Sequence, residues 1–282
     1  MSKLFIVWGV VLIVASVAII HVTSGNNKKI TIANQQSYVA LGDSVSAGVG
    51  LQNYSDSSAC DRTNQSYPNI ISSALHFALS NLSCSGATLT AGILGKQDVN
   101  NLLVASQIDQ LYHKPRPSLI SLTIGANDIG WTDFITKCYV SVCGSSDDSA
   151  FVDNKISTMT SNLQIALSDI QNNYKPQIPH VIVTGYHQVF PLLSANCTDL
   201  TGIDGAELTW GRQQQQSLNT AIANTVSNYT FARFAPINFT GHELCAADSW
   251  VQGLYDSAPY HPNQIGQQEY ASQVIAAYRS FK

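Results

Sequence analysis

Charged side chains are scarce: Asp, Glu, Lys and Arg make up 11% of the 282 residues, against roughly 25% in ordinary soluble domains. Ser, Thr, Asn and Gln must therefore coat much of the surface, which suits an extracellular protein better than a cytosolic one. A basic excess is also missing. With 14 Lys and Arg against 18 Asp and Glu the formal net charge is -4, so no nucleic-acid partner is expected. Neither Cys-x-x-Cys nor Cys/His zinc spacing occurs, and His242-Glu243 has no second histidine four residues after the first. A structural zinc site, a zinc-protease helix and any other metal centre are thus not indicated. Gly125 and Gly130 are spaced as in a phosphate loop, but Trp131 stands where the lysine is needed. No internal repeat is evident.

What is present begins with a leader. Residues 4–20 form an uncharged, mostly apolar run after Lys3, the layout of a secretory signal or of an uncleaved anchor helix. The chain is expected to be exported, and either released or held at a membrane by this segment. Residues 1–29 then comprise leader and short linker, and 30–282 a single domain, long enough for one well-buried α/β core. Six cysteines all lie beyond the leader, at Cys60, Cys84, Cys138, Cys143, Cys197 and Cys245. An even number in an exported chain reads as a disulfide framework, for which sequence alone leaves fifteen pairings open. Neighbours paired in order is the simplest and the expected one.

Hydrophobic periodicity gives alternating strands and helices. Tyr38-Val39-Ala40-Leu41 reads as a buried strand broken by Gly42. Pro68 starts a helical segment, 79–84 suggests a short strand turning at Gly86, and 98–111 suggests a helix with Leu102, Leu103, Ile108 and Leu111 inward. The clearest strand, 118–124, runs into Gly125-Ala126-Asn127-Asp128. Residues 138–149 read as a polar, disulfide-pinned loop. A long helix follows over 151–174, a strand over 181–184 closed by Gly185-Tyr186-His187, a helix over 207–229, a strand over 231–237 and a last helix over 266–280. Such an order predicts a parallel sheet whose polar turns share one rim, where α/β enzymes place their ligands.

Three of these turns carry chemistry. Gly42-Asp43-Ser44 presents a hydroxyl where a strand gives way to a helix, although Gly, Asp and Ser are also ordinary turn and cap residues. It is not the G-x-S-x-G elbow, because Ser46 stands in place of the second glycine. Asn127 offers an amide on the same rim. His261-Pro262 sits on a loop just before the last helix, where a ring can be held rigid and exposed, and His187 is its rival as a general base.

Taken in order, Gly42-Asp43-Ser44, Gly86, Gly125-Ala126-Asn127-Asp128 and His261-Pro262 resemble the SGNH-hydrolase superfamily, the GDSL esterases and lipases. The ordered cysteine pairs are similar to those of its secreted three-disulfide bacterial branch. The resemblance implies a three-layer α/β/α sandwich with a central parallel sheet, flavodoxin-like in topology. It implies Ser44 as nucleophile, His261 as general base, and an oxyanion hole built from the main-chain N–H groups of Ser44 and Gly86 and the side chain of Asn127, with no metal and no cofactor. Where many members have an aspartate three residues before the histidine, this chain has Ala258. A Ser-His dyad is therefore expected, its ring oriented by the Ala258 carbonyl, with Asp256 as the second choice. The implied activity is carboxylic-ester hydrolysis of small-molecule or lipid esters by a monomer. The alternatives are O-acetyl removal from carbohydrate or peptidoglycan and, in another class, a silent surface-binding domain.

Overall fold

The computed structural model describes residues 35–52, 59–192 and 197–281. The leader 1–29 lies outside them. Among the described residues no helix is long and apolar enough to cross a membrane.

The chain enters on β1 (Ser37–Gly42), passes a one-turn helix α1 (Ser44–Ala47) and a helix α2 (Tyr67–Leu75), and returns as β2 (Ala78–Asn81). A hairpin of β3 (Gln97–Val99) and β4 (Leu102–Val104) and a short α3 (Gln107–Tyr112) lead to β5 (Leu119–Thr123). Then come α4 (Trp131–Val140), α5 (Ser146–Tyr174), β6 (His180–Thr184), α6 (Gly205–Val226), β7 (Ala232–Ala235) and α7 (Gln264–Arg279). Five strands form one sheet in the order β2-β1-β5-β6-β7, and every pairing in it is parallel. Counting only the sheet's own strands, this is the 2-1-3-4-5 order of flavodoxin-like folds.

Local sequence explains the elements. The central strands are mostly apolar, as expected when helices cover both faces of a parallel sheet, and β5 is buried at every residue, its Ser121 and Thr123 hydroxyls hydrogen-bonded to Tyr38 and to Tyr67 and Thr184. The helix α5 buries Val152, Met159, Leu163, Ala166, Leu167 and Ile170 at three- and four-residue steps and packs on α6, while α2 packs on α7. Capping boxes fix the starts of the two longest helices: Ser145 with Asp148, and Asp204 with Glu207. The cysteines pair in sequence order, Cys60–Cys84, Cys138–Cys143 and Cys197–Cys245.

Two expectations fail. The helix expected over 98–111 is the β3-β4 hairpin followed by α3, and Leu102 and Leu103 are 55% and 62% exposed rather than core. Asn100 and Asn101 both take positive φ, 53° and 66°, the pair of left-handed residues that a two-residue hairpin turn demands. The loop expected over 138–149 is shorter, because Cys138 lies in the last turn of α4 and α5 has begun by Ser146. Strand order reverses between β1 and β5, and in open α/β sheets the ligand crevice lies outside the carboxyl ends of the strands at such a point. Ser44 and Asn127 follow these two strands.

Candidate active site

The β1 rim is fixed by main-chain bonds and one buried amide. Gly42 has φ 136°, and a Cβ there would lie 2.3 Å from the Thr123 carbonyl oxygen, so only glycine lets β1 end this close to β5. The Gln107 side chain grips the same residue twice, accepting its N–H at 2.7 Å and donating to its carbonyl at 2.9 Å. Asp43 N–H donates to Thr123 O at 3.0 Å, and the Asp43 carboxylate caps α1 by accepting from Val45 N–H at 3.0 Å. Burial raises the Asp43 pKa to about 7, against the opposing pull of its bonds from Tyr186 and Val45.

Ser44 and His261, 217 residues apart, meet here: Nε2 of His261 lies 2.8 Å from the Ser44 hydroxyl. The other ring nitrogen, Nδ1, lies 3.0 Å from the Pro259 carbonyl. A carbonyl only accepts, so Nδ1 carries the hydrogen and Nε2 presents its lone pair to the serine. Burial lowers the His261 pKa below the ordinary imidazole value, opposed by the Pro259 and Ala258 carbonyls. The ring is accordingly neutral at pH 7, the state in which it can take a proton.

The group that bonds the ring corrects the expectation. It is the carbonyl of Pro259, one residue later than Ala258, whose own oxygen accepts the main-chain N–H of His261 at 3.3 Å. Asp256 turns away and accepts from Gly253 N–H at 2.7 Å. Tyr260 adopts φ 67°, which folds the chain back so that the carbonyl two residues before the histidine faces its ring. No sequence pattern signals that turn.

Asn127 donates from Nδ2 to the Ala87 carbonyl at 2.9 Å, which leaves its second N–H for another acceptor. Its neighbour Asp128 accepts from Leu89 N–H at 2.9 Å, so the two side chains together hold the loop that contains Gly86. Among the described residues, the main-chain N–H groups of Ser44 and Gly86 meet no protein acceptor. Gly86 itself, at φ 75°, is not among the residues lining the cavity described next.

Beside Ser44 and His261 opens a cavity of about 390 Å³, lined among others by Asn127, Trp131, Ile135, Tyr139, Leu218 and Leu254. Three of these lie on one face of α4, which composition alone did not reveal because the segment is short and interrupted by Thr, Asp and Lys. The Tyr260 and Tyr139 hydroxyls are hydrogen-bonded at 2.6 Å and close one side. An apolar hollow beside a hydroxyl, a neutral imidazole and unpaired N–H donors can house the acyl part of an ester while its carbonyl is attacked. The rival histidine is not free to act as base. Both ring nitrogens of His187 are engaged, with Nδ1 3.0 Å from the Tyr270 hydroxyl and Nε2 3.1 Å from the Tyr260 carbonyl, and burial lowers its pKa to about 3. No group of His, Cys, Asp and Glu that could hold a metal ion occurs among the described residues.

Residues 40–269 match the GDSL-like Lipase/Acylhydrolase family. Lipase 1 of Streptomyces coelicolor is 31% identical over 242 residues, 82% of this chain and 82% of that protein. The crystal structure of phospholipase A1 from Streptomyces albidoflavus superposes with a TM-score of 0.63 at 27% identity, over 86% of this chain and all (100%) of that one. The extracellular lipase of Streptomyces rimosus gives a TM-score of 0.63 at 28% identity, over 86% and 99%. With the parallel sheet, the three ordered disulfides and the match over most of its length, the chain belongs to the GDSL-like lipase/acylhydrolase family of SGNH hydrolases and is a carboxylic-ester hydrolase.

Proposed function

We propose that the protein is an exported serine esterase that takes lipid or other acyl esters and works through an acyl-Ser44 intermediate with a Ser44–His261 dyad. The observation that carries this reading is the 2.8 Å contact between the Ser44 hydroxyl and the lone-pair nitrogen of His261 at the mouth of an apolar cavity. As the serine oxygen attacks the ester carbonyl carbon, its proton passes to Nε2, and the carbonyl oxygen becomes an oxyanion. The Ser44 and Gly86 main-chain N–H groups and the Asn127 amide stabilise that charge. Collapse breaks the carbon–oxygen bond to the alcohol, which leaves with the proton from Nε2. Water then repeats the sequence on the acyl-serine, its proton going to the same nitrogen and back to Ser44, and the carboxylic acid departs. The Pro259 carbonyl does the orienting that a carboxylate does in a triad, holding the Nδ1–H tautomer throughout.

The acyl chain belongs in the hollow walled by α4, whose apolar lining suits hydrocarbon. Lipase and phospholipase A1 relatives favour an acyl ester of lipid type. Three disulfides and the apolar leader favour export. The test is hydrolysis of short- and long-chain p-nitrophenyl esters by wild type and Ser44→Ala. Loss of about 10⁴-fold or more in kcat is expected for the variant, and equal hydrolysis by the two proteins would remove the proposal.

A further inference from the structure

The end of β6 lies on the same rim as the three proposed reacting residues, yet neither Tyr186 nor His187 has a part in the chemistry above. Their side chains are buried and fully engaged. The Tyr186 hydroxyl donates to the Asp43 carboxylate in a short hydrogen bond and accepts the Ala126 main-chain N–H at 3.1 Å. Through Nε2, the His187 ring meets the Tyr260 carbonyl at 3.1 Å. Asp43 immediately precedes Ser44, Ala126 precedes Asn127 and Tyr260 precedes His261. Ser44, Asn127 and His261 are thus each gripped one position upstream by the same dipeptide; Gly86 is not.

The grip is built on rigid parts. Gly185 has no room for a side chain, since a Cβ would lie 2.8 Å from the Phe234 ring. The Asn219 side chain on α6 accepts Tyr186 N–H at 2.7 Å and donates to Tyr186 O at 2.8 Å. The Tyr270 hydroxyl on α7 accepts His187 N–H at 3.2 Å and lies 3.0 Å from Nδ1 of its ring, while the ring stacks on Phe239 with centroids 4.5 Å apart. A carbonyl accepts only, so Nε2 of His187 carries the hydrogen and Nδ1 accepts from Tyr270. That tautomer is neutral, and His187 serves as a hydrogen-bond donor of fixed direction.

We propose that Tyr186 and His187 are positioning residues: the Tyr186 hydroxyl sets the spacing between the nucleophile turn and the oxyanion-donor turn, and His187 sets the position of the His261 loop against both. The need for such a device follows from where the loop comes from. Tyr260 is a non-glycine residue at φ 67°, a strained conformation that persists only when its surroundings over-determine it. Small displacements matter, because a misplacement of about 1 Å can cost on the order of 10² in rate. Both side chains also line the cavity beside Ser44, but the bonds described here run to Asp43, Ala126 and Tyr260, so losing those bonds should impair turnover much more than binding.

The inference rests on the Ser44–His261 reading, and its test separates the two. Steady-state kinetics on a soluble p-nitrophenyl ester are measured for wild type, Tyr186→Phe, His187→Leu and His187→Gln, with unfolding midpoints recorded for each. Tyr186→Phe keeps the ring and removes only the hydroxyl; kcat should fall about 10-fold with KM within about threefold. His187→Leu should lose about 10- to 100-fold in kcat, again with KM nearly unchanged. His187→Gln, whose amide can donate from the place of Nε2, should recover most of that loss. If His187→Leu does not fold, His187→Asn replaces it, since the shorter amide keeps polarity but falls short of Tyr260. Wild-type kcat in Tyr186→Phe and His187→Leu, a change confined to KM, or equal impairment of the glutamine and leucine (or asparagine) variants would overturn the inference. Full activity in Ser44→Ala would instead sink the reading beneath it, whatever these variants do.

Discussion

Ser44 and His261 face each other across one hydrogen bond, but they arrive by opposite routes. Ser44 follows a strand whose end is locked by its neighbours: Gly42 fits against Thr123, and Gln107 holds both polar groups of Gly42. His261 comes from the segment between β7 and α7, whose residues, all described, form no further strand or helix. That segment is shaped by a few main-chain bonds, Gln252 N–H to His261 O at 2.8 Å, Tyr260 N–H to Gln252 O at 2.9 Å and Asn263 N–H to Trp250 O at 2.9 Å. Side chains of distant elements do the rest, with the Gln252 amide reaching back to Val49 O at 3.3 Å. A strand end is placed by the sheet ladder, whereas a loop residue is placed by whatever grips it. The first is insensitive to most side-chain changes and intolerant of backbone change; the second is the reverse.

The strongest way to sharpen this contrast is on the rim. Asn127→Ala removes a side-chain donor without touching the ladder, and kcat should fall by about 10²–10³ while KM changes little. A drop in binding alone would mean that Asn127 lines the cavity without contacting the oxyanion. Next come two glycines, one in each region. Gly42→Ala forces a Cβ to 2.3 Å from Thr123 O, and a loss of roughly 3 kcal/mol or more in unfolding free energy is expected. Gly241, on the base segment at φ 85°, has nothing within 4 Å of the place a Cβ would take, so Gly241→Ala should cost only the backbone strain of about 1–2 kcal/mol. Equal losses in thermal or urea unfolding would break the comparison.

The smallest effects are in pH. With the His261 pKa held below its usual value by burial, the acid limb of kcat/KM should have its midpoint below about pH 6.5; a midpoint above that value would contradict the geometry. Asp43 acts on stability with the other sign. Its pKa rises from 3.8 to about 7 on folding, so the folded state keeps a proton that the unfolded chain has released. The associated stability is present below about pH 4 and is lost as pH rises through 7. The buried histidines, with lowered pKa values, oppose this trend, so the readout is a difference: Asp43→Asn should gain on wild type in urea unfolding between pH 5 and pH 8. No such gain would mean that Asp43 is ionised in the fold at both pH values.

Much of the molecule was legible in the chain. Apolar runs ending in glycine marked β1 and β5, stripes at three- and four-residue steps marked α5 and α7, and the order of four short motifs pointed to the family. The failures share a cause. The 98–111 segment has a helical spacing of leucines, but Asn100 and Asn101 accept left-handed dihedrals and a hairpin wins. The Ala258 carbonyl was expected at the His261 ring, but the left-handed turn at Tyr260 presents Pro259 instead.

Residue types and their alternation along the chain determined which segments pair, which faces are buried and which side chains are able to attack, accept or donate a proton, because those depend on local preference and period. Only the tertiary structure decided which carbonyl meets the His261 ring, that His187 is a donor and no base, and that Tyr186 stands between two turns. The last two depend on distances and directions between groups 60 to 143 residues apart, set by the packing of the whole sheet and its helices; the first depends on the left-handed turn at Tyr260, which distant side chains hold in place.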